Sequence, residues 1–228
     1  MQREALLQRS ALFLKMGRFD EAGVDNCRAR NFPLRNPQTP PELLDLSAFY
    51  EYDMSWFLGS RHRGRLSTFL QEVRQNSGVE FDARGFVALS GNGTGVGDVI
   101  KANRQSVTNI PVNRLCTRLH VLHSASSGKG VGTRIGSYIL RFADGKSEEL
   151  PIIYGVHVRS RRDAKNSEPV TSAIIGWSGV SDKPEAGTKV TVYKATWVNP
   201  RPSVQIKSLD FVSAMSESAP LLLAITAE

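Results

Sequence analysis

The chain has 228 residues, which is enough for one domain with a substantial hydrophobic core plus an appendage. Hydrophobic residues make up 40% and charged residues 22%, an ordinary globular composition that excludes a disordered, collagen-like or coiled-coil chain. The net charge of +7 comes from 29 lysine and arginine residues against 22 aspartate and glutamate residues, without the dense basic stripe of a nucleic-acid-binding protein. We therefore expect a folded protein with no specific nucleic-acid partner.

Cysteine usage and targeting signals narrow the class further. Cys27 and Cys116 are the two cysteines, and their wide separation argues against a disulfide framework. No stretch combines a basic head, a long apolar run and a small-residue cleavage site, so we expect neither a signal peptide nor a membrane span. These features together favour a cytoplasmic location.

Residues 1–36 predict an α-helical hairpin. Apolar residues recur at helical spacing in two stretches separated by Gly17, and Pro33 ends the second stretch because proline cannot continue a helical hydrogen-bond ladder. Pro37, Pro40 and Pro41 then predict a stiff, extended linker over residues 37–46.

Within the hairpin, the sequence MGRFDEA at 16–22 is followed by Ala29 and by Pro33. Small side chains at Gly17, Ala22 and Ala29 allow two helices to approach closely. By these residues the hairpin resembles one tetratricopeptide repeat, which implies a unit from a helical-repeat array. The alternative is an ordinary helical hairpin packed on the domain that follows.

From residue 47 the hydrophobic pattern changes to the period of two that β-strands show. Tyr138, Leu140 and Phe142 alternate along one strand, Asp144 and Gly145 supply a two-residue turn, and a second alternating strand follows. Further strand candidates lie at residues 85–89, 118–123, 172–177, 189–197, 204–212 and 221–226. About eight strands without intervening helices predict a mainly β fold, an antiparallel β-sandwich of the jelly-roll type at residues 47–228.

The stretch 56–76 fits the strand pattern least. Leu66, Phe69, Leu70 and Val73 have helical spacing, whereas RHRGR at 61–65 reads as an exposed loop. We therefore expect a loop followed by a short helical turn in this region.

Several sequence blocks after residue 40 belong together: PPELLDLS at 40–47, VEFDARG at 79–85, LHVLH at 119–123, LPIIYG at 150–155 and WVNPRP at 197–202. By these blocks the segment from about residue 46 to 228 resembles a carbohydrate-binding-module-like, galactose-binding-type jelly roll. Such a domain often follows tetratricopeptide repeats in proteins similar to planctomycete and verrucomicrobial serine/threonine kinases. The resemblance implies a protein or carbohydrate ligand, while the chain itself lacks the glycine-rich loop, lysine and catalytic aspartate of a kinase.

Where this family commonly has a Trp-Trp pair, the sequence has Arg161 and Arg162. Arginine makes bidentate hydrogen bonds to carboxylates and phosphates, so the replacement predicts a preference for an anionic group over a neutral sugar ring. His157 and Arg159 share one face if the strand stays extended, and the two arginines then follow in a polar loop. A merely solvated loop is the alternative. The complete set of ligand-binding candidates is His157, Arg159, Arg161, Arg162, Tyr154, Trp197 and Arg201.

Some of these candidates have a structural alternative. Tyr154 and Trp197, like Trp177, are large aromatics of the kind that fills a sandwich core. Arg201 follows a rigid Asn-Pro connection and is free either to pack or to bind a ligand.

The sequence carries no recognisable catalytic or metal-binding pattern. His120 and His123 are three residues apart on a predicted strand and so face opposite sides of the sheet, which excludes a shared metal ion and makes His123 a core or inter-sheet histidine. The glycine-rich run at 91–97 lacks the lysine of a phosphate-binding loop, and no nucleophile elbow occurs. We expect no catalytic residue, no metal and no cofactor, and we interpret Asp82 and Arg84 as a structural ion pair.

These observations predict a non-catalytic interaction module with a protein or carbohydrate ligand, carried by a larger multidomain protein. The alternative is the C-terminal fragment of an enzyme, a serine/threonine kinase or a hydrolase, whose catalytic domain lies upstream.

Overall fold

The computed structural model describes residues 2–59, 62–93, 104–128, 130–162, 169–180 and 189–228. In these ranges the helices are α1 (Gln2–Lys15), α2 (Phe19–Arg30), α3 (Ser55–Leu58) and α4 (His62–Ser77). The strands are β1 (Tyr52–Asp53), β2 (Gly85–Ala88), β3 (Ser106–Arg114), β4 (Arg118–Ala125), β5 (Arg134–Phe142), β6 (Ser147–Ile153), β7 (Ala173–Val180), β8 (Lys189–Val198), β9 (Ile206–Ser213) and β10 (Pro220–Ala227). None of the helices described is long and apolar enough to cross a membrane.

The strands form a six-stranded sheet in the order β1-β2-β10-β4-β8-β7 and a four-stranded sheet in the order β3-β9-β5-β6. Four antiparallel pairs are nested: β2 with β10, β3 with β9, β4 with β8 and β5 with β6. Such nesting arises when one long hairpin folds over on itself, which is the winding of a jelly roll. The predicted fold, a mainly β jelly-roll sandwich preceded by an α-helical hairpin, is confirmed.

Strand β3 is the strand of the four-stranded sheet that the sequence pattern does not predict. It contains Pro111, which cannot donate to a strand ladder, and Asn109 and Asn113, whose φ angles are 60° and 50°. The register between β3 and β9 shifts at both asparagines, so the period of two is broken. These irregularities are tolerated because β3 lies at the edge of its sheet.

Hydrophobic side chains form a cluster on each face of the six-stranded sheet. Between the two sheets, Tyr138 and Phe211 pack with Val121 and their neighbours. On the outer face, α3 and α4 cover the sheet, and the ring of Phe69 lies 5.3 Å from that of Trp177. Helix α4 begins at residue 62, so the expected loop at 61–65 is wrong from that residue onward, because this packing stabilises a helix of four turns rather than one.

Helix α2 fixes the hairpin to the sandwich. Asn26 donates through Nδ2 to the carbonyl groups of Ser47 and Tyr50, at 2.8 and 2.9 Å. Ala22 and Cys27 of the same helix are buried in the cluster that fills the space between the sheets. The hairpin and the sandwich therefore share hydrophobic packing.

The proline-rich stretch expected as a linker also contacts the sandwich. The Leu44 N–H donates to the Ile225 carbonyl at 2.9 Å, and the Ala227 N–H donates to the Glu42 carbonyl at 2.9 Å. Residues 42–44 thus extend the six-stranded sheet along β10, and the chain between hairpin and sandwich is held in place by backbone hydrogen bonds.

Arg84 joins three parts of the chain. Its guanidinium donates from Nε to Asp82 at 2.8 Å, from Nη2 to Asp45 at 2.6 Å and from Nη1 to the Pro33 carbonyl at 3.1 Å. The predicted ion pair between Asp82 and Arg84 is confirmed. Because Arg84 is buried, this cluster connects the end of the hairpin, the following stretch and strand β2.

Candidate functional site

The predicted ligand-binding residues fall in several places. His157 and Trp197 meet at one side of the sandwich, where the turn after β6 approaches β8. Arg159 and Arg161 are buried at the end of β4, and Arg201 lies beside the turn between β5 and β6.

Residues 154–158 form a tight turn in place of the extended strand that the sequence suggested. Gly155 has a φ of 78°, and its N–H donates to the Val158 carbonyl at 2.8 Å. The His157 N–H donates to the Ile153 carbonyl at 2.9 Å. The turn interrupts the common face expected for His157 and Arg159.

Arg159 and Arg161 are 5% and 0% exposed. The backbone between them pairs with the end of β4: the Ala125 N–H donates to the Arg159 carbonyl at 3.2 Å, and the Arg161 N–H donates to the Ala125 carbonyl at 2.9 Å. The Arg161 guanidinium lies 5.5 Å from the ring centroid of Trp56. The alternative of a solvated loop is therefore wrong for these two arginines, because strand-like pairing draws the segment into the molecule.

The remaining candidates have different surroundings. Tyr154 is buried in the core between the sheets, and Arg162 is half-buried. Arg201 donates from Nη1 to the Asp144 carboxylate at 3.0 Å and lies 4.7 Å from the ring centroid of Phe142. The hydrogen bond from Arg201 lowers the pKa of Asp144 to about 2. Packing and ion pairing thus occupy Arg201.

His157 and Trp197 place two half-buried rings side by side at the surface, with their centroids 5.1 Å apart. Trp197 comes from β8, and His157 comes from the turn after β6. We call this pair the margin site. The sequence identified both residues as candidates, but with 39 residues between them it gave no reason to expect contact.

The hydrogen-bonding state of the margin site follows from one backbone contact. The Ile153 N–H donates to Nδ1 of His157 at 3.0 Å, so the proton of the neutral ring is on Nε2. Burial lowers the pKa of His157, which favours the neutral ring at pH 7. Among the residues described, no acceptor lies within hydrogen-bonding distance of this Nε2–H or of the Nε1–H of Trp197, and neither nitrogen is one of the fully buried atoms that lack a partner. The margin site therefore presents two uncharged donors beside aromatic surface.

A buried hydrogen-bonded chain supports the margin site from inside the sandwich. His123 contacts the His157 carbonyl through Nε2 at 3.0 Å and the Tyr138 hydroxyl through Nδ1 at 3.1 Å. Because a carbonyl only accepts, Nε2 of His123 carries the proton, and the Tyr138 hydroxyl donates to Nδ1. Burial lowers the pKa of His123 to about 3. The prediction of an inter-sheet histidine at position 123 is confirmed.

The outer face of the six-stranded sheet carries a row of polar side chains that sequence reasoning missed. Lys194 donates to the Thr196 hydroxyl at 3.0 Å, this hydroxyl lies 2.9 Å from Nδ1 of His120, and Nε2 of His120 lies 2.7 Å from the Glu228 carboxylate. The Thr196 hydroxyl and both ring nitrogens of His120 have hydrogen-bond partners within this row. The row therefore has fewer unpaired donors for a ligand than the margin site has. The spacing of Lys194 and Thr196 predicts that their side chains share one face of a strand. Only the pairing of β8 with β4 brings His120 beside them.

Metal-ligating side chains do not come together in the part of the chain described. His120 faces outward and His123 inward, as strand alternation predicts, and no group of three or more His, Cys, Asp or Glu side chains within the described ranges is placed to hold a metal ion. The glycine-rich run at 91–97 lies outside the described residues from 94 onward, as does Lys129 between Gly128 and Gly130.

Comparisons with models of known families, with curated proteins and with solved structures found no match to this chain. The likenesses to a tetratricopeptide repeat and to a galactose-binding-type domain therefore stay predictions.

Proposed function

We propose that this chain is a non-catalytic binding module for a protein or carbohydrate ligand, and that the ligand binds at the margin site. The observation that supports the proposal is the pair of adjacent rings, His157 and Trp197, whose N–H donors have no acceptor within the described part of the chain. A ligand with oxygen acceptors satisfies both donors while it removes the aromatic surface beside them from water.

The chemistry of the margin site defines the kind of ligand. The indole face of Trp197 stacks on an apolar surface such as the C–H face of a sugar ring or a proline. The donors on the two rings require oxygen acceptors next to that surface, such as hydroxyl or carbonyl oxygens. Both rings are uncharged at pH 7, so the margin site itself recognises a neutral surface, and the buried Arg159 and Arg161 do not reach a ligand there without rearrangement.

Preorganisation further supports binding. The His157 carbonyl and ring are held by His123 and by the Ile153 N–H, and the Trp197 ring packs edge-on against Tyr138 with centroids 5.5 Å apart. Rings fixed before the ligand arrives lose little conformational entropy on binding.

The proposal is tested by screening the purified chain against immobilised oligosaccharides and proline-containing peptides, followed by titration of the strongest hits. We expect Trp197→Phe and His157→Phe each to weaken binding about tenfold, or about 1.4 kcal/mol, because each removes one donor while keeping an aromatic ring. Val198→Ala is the matched control: Val198 is the next residue in β8 and is 73% exposed.

Equal affinity of Trp197→Phe and the unmodified chain would contradict the proposal, and so would the absence of any hit. Turnover of a hit would favour an enzyme instead.

A further inference from the structure

The edges of the two sheets differ in how they are protected from pairing with another strand. An edge strand exposes unpaired backbone groups, and proteins protect such edges by shortness, charge, proline or bulges. The edges here are β1 and β7 in the six-stranded sheet and β3 and β6 in the four-stranded sheet.

Three of these edges have such protection. Strand β1 has two residues. Strand β3 contains Pro111 and the register shifts at its two asparagines. Strand β6 contains Glu148, Glu149 and Pro151. Charge repulsion and the missing proline N–H make these strands poor partners for further pairing.

Strand β7 has a single register shift and none of the other kinds of protection. Its eight residues, AIIGWSGV, include no charged residue and no proline. Ile174, Ile175 and Val180 are 44%, 41% and 61% exposed, and no strand in the described ranges pairs with its outer edge. One register shift lies between Ile175 and Trp177 and leaves regular pairing with β8 on either side.

Helix α4 holds β7 in position. It contacts the outer face of the sheet, where Nε1 of Trp177 donates to the Glu72 carboxylate at 2.6 Å and the Phe69 ring packs on the indole. Asn76 donates to the Gly176 carbonyl at 3.1 Å. The strand is therefore ordered in advance, which lowers the entropic cost of adding a neighbour.

We propose that β7 pairs antiparallel with β7 of a second copy of this chain, joining two six-stranded sheets into one of twelve strands. A two-fold axis places residues of β7 opposite residues of the same strand. Since β7 has no charge, this pairing brings no like charges together, and it covers the exposed isoleucines.

In an antiparallel pair, residues directly opposite each other have their side chains on the same face of the sheet, so the two-fold axis pairs positions of β7 that share a face. This dimer does not depend on the margin site.

The test is sedimentation equilibrium of the full chain over about a hundredfold range of concentration. We expect the mass to rise from 25.1 kDa towards twice that value. Ile175→Lys should weaken association at least about tenfold, because it places a charge on the edge. Val198→Lys, at an exposed position of the neighbouring strand β8, should leave association unchanged.

Hydrogen exchange of the unmodified chain tests the proposal without a variant, so its result does not depend on whether a variant folds. We expect the amides of residues 173–180 to exchange more slowly as the concentration rises. A mass of 25.1 kDa at every concentration would overturn the proposal, even if a strand of another protein pairs with β7. Concentration-independent exchange at β7, or equal weakening of association by Val198→Lys, would also overturn it.

Discussion

At the scale of single residues, His123 shows how a titratable group becomes a structural one. It lies between the two sheets and is 1% exposed, with the Tyr138 hydroxyl on one ring nitrogen and the His157 carbonyl on the other. The Nε2–H donates to the carbonyl in either protonation state, and it is desolvation that disfavours the charged ring. In the folded chain His123 is therefore a neutral ring that connects the two sheets.

This residue predicts a specific acid sensitivity. Its pKa falls from 6.5 to about 3 on folding because of burial, so below pH 6.5 the unfolded chain binds more protons than the folded chain. The free energy of unfolding should then decrease by about 1.4 kcal/mol per pH unit as pH falls through this window. His123→Gln keeps a donor and an acceptor but does not titrate, so it should show a shallower decrease.

Urea unfolding of the unmodified chain and of His123→Gln at several pH values between 4 and 7 measures how the free energy of unfolding depends on pH in each protein. These values lie within the range over which His123 titrates in the unfolded chain. Parallel pH profiles of the two proteins would mean that His123 is not the group responsible.

At the scale of secondary-structure elements, the attachment of the hairpin depends on the cluster around Arg84. The guanidinium is 6% exposed and neutralises Asp82 and Asp45, which come from different segments. Without Arg84, Asp82 keeps the hydrogen bond from Arg35 Nη1 at 2.9 Å, but buried acceptors around the lost guanidinium have no donor.

We expect Arg84→Met to lower the free energy of unfolding by about 1–3 kcal/mol, because it removes the donor to the Pro33 carbonyl and one of the donors to Asp82. Arg134→Met is the matched control, because Arg134 and Glu149 form a pair in which both side chains are about half exposed; its cost should stay below about 1 kcal/mol. Denaturant titration measures both. Similar costs for the two variants would show that Arg84 does not hold the hairpin in place.

The elements also differ in how well the sequence predicted them. Strands β5 and β6 were evident because alternating apolar residues flank a turn at Gly145, whose φ is 82°. Strand β3 was missed because Pro111 and two left-handed asparagines hide its period, which an edge strand tolerates. Helix α4 was underestimated because its first turn is rich in arginine, and only packing against Trp177 accounts for its length.

At the scale of the whole molecule, the candidate site could be predicted only in part. Trp197 and His157 were identified from residue type, but their contact depends on the turn after β6 and on the winding that brings β8 beside it. The arginines that follow were expected at the surface, and they are buried because their backbone pairs with Ala125 of β4. No local pattern reports such pairing between distant segments.

The most direct test of binding at the margin site is the indole N–H region of a ¹H–¹⁵N correlation spectrum. The chain has three tryptophans, and Trp56→Phe, Trp177→Phe and Trp197→Phe assign their signals. The spectrum is recorded before and after addition of the strongest-binding oligosaccharide or peptide from the screen. Since the Trp197 N–H gains an acceptor, its signal should move downfield, whereas that of Trp177, which already donates to Glu72, should not change. An unchanged Trp197 signal at saturation would contradict binding at the margin site.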